Sequence, residues 1–445
     1  MSGRSDRASA IGERLAEVLG APLAHEPRQL SGGASQETWV FEIEPGSRPL
    51  VLQLLRPERA GPEDLRPRLL RAASEAGVTV APLVAEGTGD EVLGSWIVVE
   101  RVPGTADPKE ILAGDGLPSP TQLIDGLAAE LAAIHRMKVD GLPHVDDALA
   151  QLREVHDGLG EPHPVFELAF RELEQSRPAA GRSAVVHADF RMGNVMMGPE
   201  GITAVLDWEL THTGDPLQDL GWLCVRAWQF GRPDRPVAGL GSRDELLAAY
   251  ARHSGVEVAA EDLGWWELFG NLRWGVICVM QAHVHLSGAA NSLEHAVIGR
   301  RACEVEWDLL ELLDPGGDPD PRPTETTPSP ATLHDRPTAG ELVDAIRAEL
   351  GDHVLPGLEG RAAFRTRVAL RALGILERQM ATAPADDALR RAVLGRLGAE
   401  DEADLGRRVR AGEFDHRRAE LLSGLRALVR AKLTAANPGH LESAS

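Results

Sequence analysis

His187, Asp189 and Asn194 stand in the order H-x-D-x-x-x-x-N, and a second aspartate, Asp207, follows a strand-like run. These are the residue types that phosphoryl transfer asks for, because its loose transition state needs positioning and charge neutralisation rather than covalent chemistry. Asp189 suits the group that accepts a hydrogen bond from an attacking hydroxyl and takes its proton. Asn194 offers a neutral oxygen and Asp207 a charged one, a donor pair suited to magnesium. Arg191, two residues past Asp189, would reach a transferring phosphoryl group from a tight loop. His187 is the third candidate in the catalytic set, and pinning the loop by hydrogen bonds is its natural part. Asp215 and Asp219, in GDPLQDL, are expected to cap a helix and brace that loop. One Asp or Asn in a loop is ordinary turn chemistry. The joint pattern, with D-W-E after a strand and then G-D-P-x-x-D-L, is not.

Short strands must hold these residues, and the sequence predicts them around Ala184 to Val186, Val195 to Met197 and Thr203 to Leu206. Upstream, Ala8 to Gly20 reads as an amphipathic helix. QETWVFEI (Gln36 to Ile43) and PLVLQLL (Pro49 to Leu55) read as two strands joined by the turn EPGSR. A helical segment near Leu65 to Glu75 and a buried strand in SWIVVERVPG (Ser95 to Gly104) complete a small antiparallel sheet with one helix. From Thr121 helical spacing takes over, as in TQLIDGLAAELAAIHRMK, and it dominates again from Asp244 to Leu313. Asp314 to Ala331 is crowded with proline and lacks apolar periodicity, which marks a linker. Beyond it, Ala339 to Leu433 reads as several amphipathic helices.

The chain has 445 residues, enough for two or three domains. A net charge of −22 argues against nucleic acid or an anionic membrane surface as partner. Three cysteines without metal-type spacing give no disulfide framework and no zinc site. The first residues, MSGRSDRASA, lack the apolar core of a secretory signal. The run from Arg273 to Glu294 carries Gln281, His283, His285 and Asn291, so a buried helix is expected there rather than a membrane span. A cytoplasmic location is the expectation.

On these motifs the chain resembles the aminoglycoside phosphotransferase and choline kinase-like family, from about Leu30 to Leu313. Phe190, Arg191 and Asp207-Trp208-Glu209 are especially similar to the kinase-like domains joined to acyl-CoA dehydrogenases, which are thought to phosphorylate hydroxyacyl-CoA intermediates. The resemblance implies an α+β, bilobal protein kinase-like fold followed by a separate all-α domain. Residues 8–102 would form the amino-terminal lobe, 103–313 a mostly helical catalytic lobe, 314–331 the linker and 332–438 a helical domain. The cofactors implied are ATP and Mg2+, the latter held by Asn194 and Asp207, and the acceptor is a hydroxylated small molecule. LSGGASQET would be the phosphate-covering loop, with Gly32, Gly33, Ala34, Ser35 and Gln36 lending backbone amides. Glu100 to Val102 would be the inter-lobe hinge that pairs with adenine.

Two positions depart from that family. The cation usually carried by the third strand falls on Gln53, and the helix glutamate that pairs with it falls on Arg66. Charge for the phosphates would then come from Arg56 or Arg66. Gln53 and Arg66 leave one alternative, a nucleotide-binding pseudokinase that works as a regulatory module, and the Phe190-Arg191 and Trp208-Glu209 variants point to another, a hydroxyacyl-CoA kinase. The C-terminal helices are similar to a small domain family of uncharacterised role, for which docking, a homodimer or substrate gating is the expectation.

Overall fold

The amino-terminal sheet is built by alternation. In the computed structural model, which describes residues 2–30, 36–46, 48–55, 64–179, 181–290, 292–319 and 338–443, helix α1 (Ser2–Leu19) precedes strands β1 (Arg28–Gln29), β2 (Gln36–Ile43) and β3 (Arg48–Leu55). Helix α2 (Arg66–Glu75) and strands β4 (Leu83–Asp90) and β5 (Gly94–Glu100) follow. The sheet is antiparallel with order β1-β2-β3-β5-β4. Trp39 and Phe41 of β2 and Leu50, Leu52 and Leu54 of β3 occupy alternate positions, so they share one face and bury it against Ala8, Ile11 and Leu15 of α1.

Next come α3 (Pro108–Ala113), α4 (Pro120–Ile134), α5 (Ala148–Leu159) and α6 (Pro164–Gln175). Helix α4 starts where its sequence says it should: Ser119 and Gln122 form a capping box and Pro120 sits in the first turn. Strands β6 (Ala184–Val186), β7 (Val195–Gly198), β8 (Gly201–Val205) and β9 (His212–Gly214) lead to α7 (Leu217–Leu223). The remaining helices are α8 (Arg243–Ser254), α9 (Ala260–Leu286), α10 (Leu293–Gly299), α11 (Ala302–Leu313), α12 (Ala339–Ala348), α13 (Gly360–Leu397), α14 (Glu402–Arg410), α15 (Arg418–Ala436) and α16 (Pro438–Ser443). The α+β class expected from the sequence is therefore present, with a helical block at the carboxy-terminal end. Most of the expected linker, from residue 320 onward, lies outside the described residues. No helix among the described residues is long and apolar enough to cross a membrane.

Two units emerge, and they interleave along the chain. The first comprises Met1–Val145, Gly181–Leu223 and Asp234–Ala260. It joins the segments flanking β4 and β5 to β7 and β8 through backbone bonds: Thr105 and Met197 exchange both (2.9 and 2.8 Å), and Val205 N–H donates to Thr79 O at 2.8 Å. Gly104, at φ +112°, admits this approach, since a Cβ there would run into the Met197 carbonyl.

The second unit comprises Asp146–Ala180, Cys224–Pro233 and Glu261–Ser445. Within it α14 packs on α6, while α15 packs on α11 and α13. His156, Asp157 and Glu167 cluster here within 4.8 Å, but Glu167 already accepts from Arg153 (2.6 Å) and Arg410 (2.8 Å), which satisfies the charge a metal would need. Arg426 of α15 is fully buried, ion-paired with Glu311 and donating to Leu310 O at 3.1 Å. Arg426→Ala would leave Glu311 without its ion-pair partner, at an expected cost of about 3–5 kcal/mol. Calorimetry of the full chain should show an early transition absent from the parent; an unchanged thermogram would mean the pair carries no such weight.

Candidate active site

The β7–β8 hairpin sets the site. Its first pair is Val195↔Val205, so Asn194 and Leu206-Asp207 leave the same end of the hairpin, and Leu206 N–H donates to Asn194 O at 2.8 Å. A turn closed by Asn194 N–H to Arg191 O (2.9 Å) brings Asp189 back over that end. There the Asn194 amide nitrogen donates to Asp189 Oδ2 at 2.5 Å and to its backbone carbonyl at 3.0 Å. Asp189 Oδ1 accepts from Arg191 Nε at 3.1 Å and from Trp222 Nε1 at 2.9 Å. The carboxylate is thus held by three donors while its side chain keeps 17% exposure, enough to meet a ligand.

His187 is fully buried and fully used. Its Nε2–H donates to Leu206 O at 2.9 Å, and its Nδ1 accepts from Asp189 N–H at 3.2 Å. Burial holds its pKa below the usual range, against the pull of Asp219 and Asp189, so the ring is neutral. Such a ring pins the loop and has no nitrogen left to move a proton. Asp219 secures the backbone on either side: its carboxylate accepts from His187 N–H and Ala188 N–H, both at 2.8 Å. Ala188 sits at φ 67° and Asp207 at φ 63°, left-handed values that non-glycine residues rarely adopt, and these bonds help to hold the strained loop. Behind Asp219 runs a relay of hydrogen bonds. His135 Nε2 meets its carboxylate at 3.3 Å, Tyr250 Oη meets His135 Nδ1 at 2.8 Å, and Arg182 donates to Tyr250 Oη at 2.7 Å. Burial alone would raise the Asp219 pKa, but the His135 hydrogen bond and the backbone bond from His187 outweigh it and hold the group ionised.

Asp207 is placed differently. Its Oδ1 is buried without a hydrogen-bond partner. Burial first, then the charges of Glu209 and Asp189, push its pKa up to about 6, with Arg191 opposing. An orphaned carboxylate oxygen repelled by two other carboxylates is where a cation fits, and the neutral oxygen of Asn194 is a compatible second donor.

A narrow cavity leads away from Asp207. It is lined by Gln36 of β2, Gln53 of β3, Arg66 of α2, Ile97 and Val99 of β5, and residues 205–209. Gln53 and Arg66 therefore do face common space. The Arg66 guanidinium is not unattached: it pairs with Asp64 at 2.6 Å, both side chains being under one-tenth exposed, and donates to Gln36 Oε1 at 3.3 Å. At the expected hinge, the N–H groups of Glu100 and Arg101 are committed to Pro82 O (2.9 Å) and Pro49 O (3.1 Å). Gly32, Gly33, Ala34, Ser35 and Arg56 lie outside the described residues.

Sequence reasoning missed Trp222 as a partner of Asp189 and the relay through His135, Tyr250 and Arg182. A tryptophan one turn into a helix after GDPLQDL looks like core, and nothing in its spacing says that its indole nitrogen turns toward a loop thirty-odd residues earlier. Trp222→Phe keeps an aromatic side chain, smaller than the indole, and removes the donor. We expect kcat to fall about tenfold, the order of one lost hydrogen bond to a charged group, with KM for the nucleotide unchanged. An unaltered kcat would make the bond incidental.

Residues 26–256 match the family described as Phosphotransferase enzyme family, and residues 356–440 match a Domain of unknown function (DUF6285). The chain is 26% identical over 160 residues to Acyl-CoA dehydrogenase family member 10 of Mus musculus, covering 33% of this chain and 15% of that protein. It is 32% identical over 100 residues to Acyl-CoA dehydrogenase family member 11 of Gallus gallus, covering 19% and 13% respectively. The chain thus spans only a small part of the length of these relatives. Among solved structures it is similar to an aminoglycoside phosphotransferase, APH(4)-Ia, in ternary complex with ADP and hygromycin B. That match has 17% identity and a TM-score of 0.45, covering 67% of this chain and 98% of that one. The macrolide 2'-phosphotransferase MphH from Brachybacterium faecium gives 17% identity and a TM-score of 0.45, covering 70% and 99%.

Proposed function

We propose that this chain, which belongs to the phosphotransferase enzyme family, moves the γ-phosphoryl group of ATP to a hydroxyl of a small molecule with the help of magnesium. The observation that carries the reading is the meeting of Asp189, Asn194 and Asp207 at one end of a hairpin, with Asp207 Oδ1 unpartnered. Asp189 is the base that orients the acceptor hydroxyl and takes its proton, held by Trp222, Arg191 and Asn194. Asn194 and Asp207 would hold magnesium, which when bound supplies positive charge to the phosphoryl oxygens. Arg191, hydrogen-bonded to Asp189, adds a cation beside the transferring group. His187 and Asp219 position the loop. Gln36, Gln53 and Arg66 line the nucleotide side, and Val102 meets the base.

The acceptor reading favoured by the matches to acyl-CoA dehydrogenase family members is a hydroxyacyl-CoA. The test is a mass-spectrometric screen of hydroxylated metabolites and acyl-CoAs with ATP and magnesium, looking for the gain of one phosphoryl group. Gain on an acyl-CoA supports this acceptor, and gain only on amino sugars rejects it. A second reading rests on one observation: Arg66, the cation described in the nucleotide cavity, is already engaged by Asp64. A nucleotide-binding pseudokinase would follow. Steady ATP hydrolysis that is lost in Asp189→Ala would rule it out.

A homodimer through the C-terminal helices is part of the proposal. Leu342, Ile346, Phe364, Leu376 and Met380 of α12 and α13 are 39–51% exposed, an apolar surface a second copy would cover. Sedimentation velocity should show a dimer that Ile346→Glu with Leu376→Glu dissociates; a monomeric parent would refute it.

A further inference from the structure

The second unit contains a cavity of about 390 Å³, within the range of small-molecule sites. Its chemistry is unlike the rest of this acidic chain. Four arginines line it, Arg226, Arg232, Arg301 and Arg371, against two carboxylates, Glu304 and Asp308. Both carboxylates are shared. Glu304 meets Arg301 at 2.9 Å, Asn437 Nδ2 at 3.0 Å and Arg371 at 3.7 Å. Asp308 meets His440 at 3.0 Å and Arg226 at 4.0 Å. Within the lining, guanidinium groups therefore outnumber carboxylates, in a chain of net charge −22. Burial works against a charged His440, but its bond to Asp308 outweighs this and raises its pKa.

Aromatic surface accompanies the charge. Trp228 and Trp274 line the cavity with ring centroids 5.0 Å apart, and the Arg301 guanidinium stands 5.5 Å from the Trp274 ring. Guanidinium forks bind phosphate and carboxylate oxygens in pairs, and indole faces stack on planar groups. The lining also has two origins. Residues 226–233 fall within the phosphotransferase match, whereas Arg371, Asn437 and His440 fall within the match to the domain of unknown function. Trp274, Arg301, Glu304 and Asp308 lie in neither.

We propose that this cavity binds an organic anion, a phosphate or carboxylate carried on a molecule with a planar ring, and that the C-terminal helical block completes the site through Arg371, Asn437 and His440. The anion has two sources, the acceptor of phosphoryl transfer or a separate effector. The proposal stands on the cavity alone and does not require turnover.

Isothermal titration of the full chain with phenyl phosphate, without nucleotide or magnesium, tests it, with benzylamine as the cationic counterpart. Saturable binding of phenyl phosphate is expected, weakened at least tenfold by Arg226→Gln and by Arg371→Gln and unchanged in Asp207→Asn, with no binding of benzylamine. Arg371 is half exposed on its helix, so Arg371→Gln should fold normally. Absence of saturable binding by the parent would overturn the proposal. So would equal affinity in a folded Arg371→Gln, or equal binding of benzylamine. Once an acceptor is found, a raised acceptor KM in Arg371→Gln at unchanged nucleotide KM identifies the acceptor as the source. A changed kcat at fixed acceptor KM identifies an effector. Failure to find any phosphorylated product bears on the kinase reading and leaves the binding result intact.

Discussion

Asp189→Ala is expected to abolish phosphoryl transfer while leaving nucleotide affinity within about threefold of the parent. The loss of a general base alone is worth about 10²–10⁴ in rate. Here it is compounded, because Asp189 also fixes Arg191, Asn194 and the Trp222 indole. Asp189→Asn separates the two parts. An amide oxygen can still accept from Trp222 Nε1–H and Arg191 Nε–H, at the loss of the Asn194 bond to the other oxygen, but the amide cannot take a proton at neutral pH. Its rate should be as low as that of the alanine variant. If Asp189→Asn instead retained most of the activity, Asp189 would be a positioning residue and the assignment of the base would be wrong.

Asp207→Asn is expected to do two opposite things. Magnesium-dependent nucleotide binding should collapse, since the amide loses the charge that the ion requires. Metal-free stability should rise. Burial and the charges of Glu209 and Asp189 raise the folded pKa of Asp207 from 3.8 to about 6. A carboxyl whose folded pKa lies above its unfolded value contributes stability that is fully present below about pH 4 and is lost as pH rises through about 6. At neutral pH the ionised group is therefore a cost, on the order of 3 kcal/mol at 1.36 kcal/mol per pKa unit. Asn removes it.

In chelator-containing buffer at pH 7.5 the variant should unfold at a higher temperature than the parent, and the gap should close as the pH falls through 6 toward 4. Adding magnesium and a non-hydrolysable ATP analogue should reverse the order, because ligand stabilises only the form that binds it. Equal shifts in both proteins would remove Asp207 from the metal site. A stability gap independent of pH would show that the carboxylate is not strained in the way its surroundings imply.

The local chemistry of this protein is written in its sequence. The order of His187, Asp189, Asn194 and Asp207, the alternation that made β2 and β3 legible, and the capping box of α4 are short-range features, decided by residues within a few positions of one another. β4, with glycines and charges and only half-buried, lacked such a signal, whereas α5, capped by Asp147 and ended by Gly160, and α6, opened by Pro164, carried one that went unread. Tertiary structure decided everything that depends on a partner far along the chain. It turned the Trp222 indole to Asp189 and lined up Arg182, Tyr250 and His135 behind Asp219. It brought Arg66, paired locally with Asp64, into one cavity with Gln36 and Gln53. It gathered Arg226, Arg301 and Arg371 around one cavity, from stretches whose separate patterns say only solvated helix face. Residue order fixes which groups are available within a turn or a strand. Hydrogen-bond direction, desolvation and charge pairing are set by neighbours that only folding supplies.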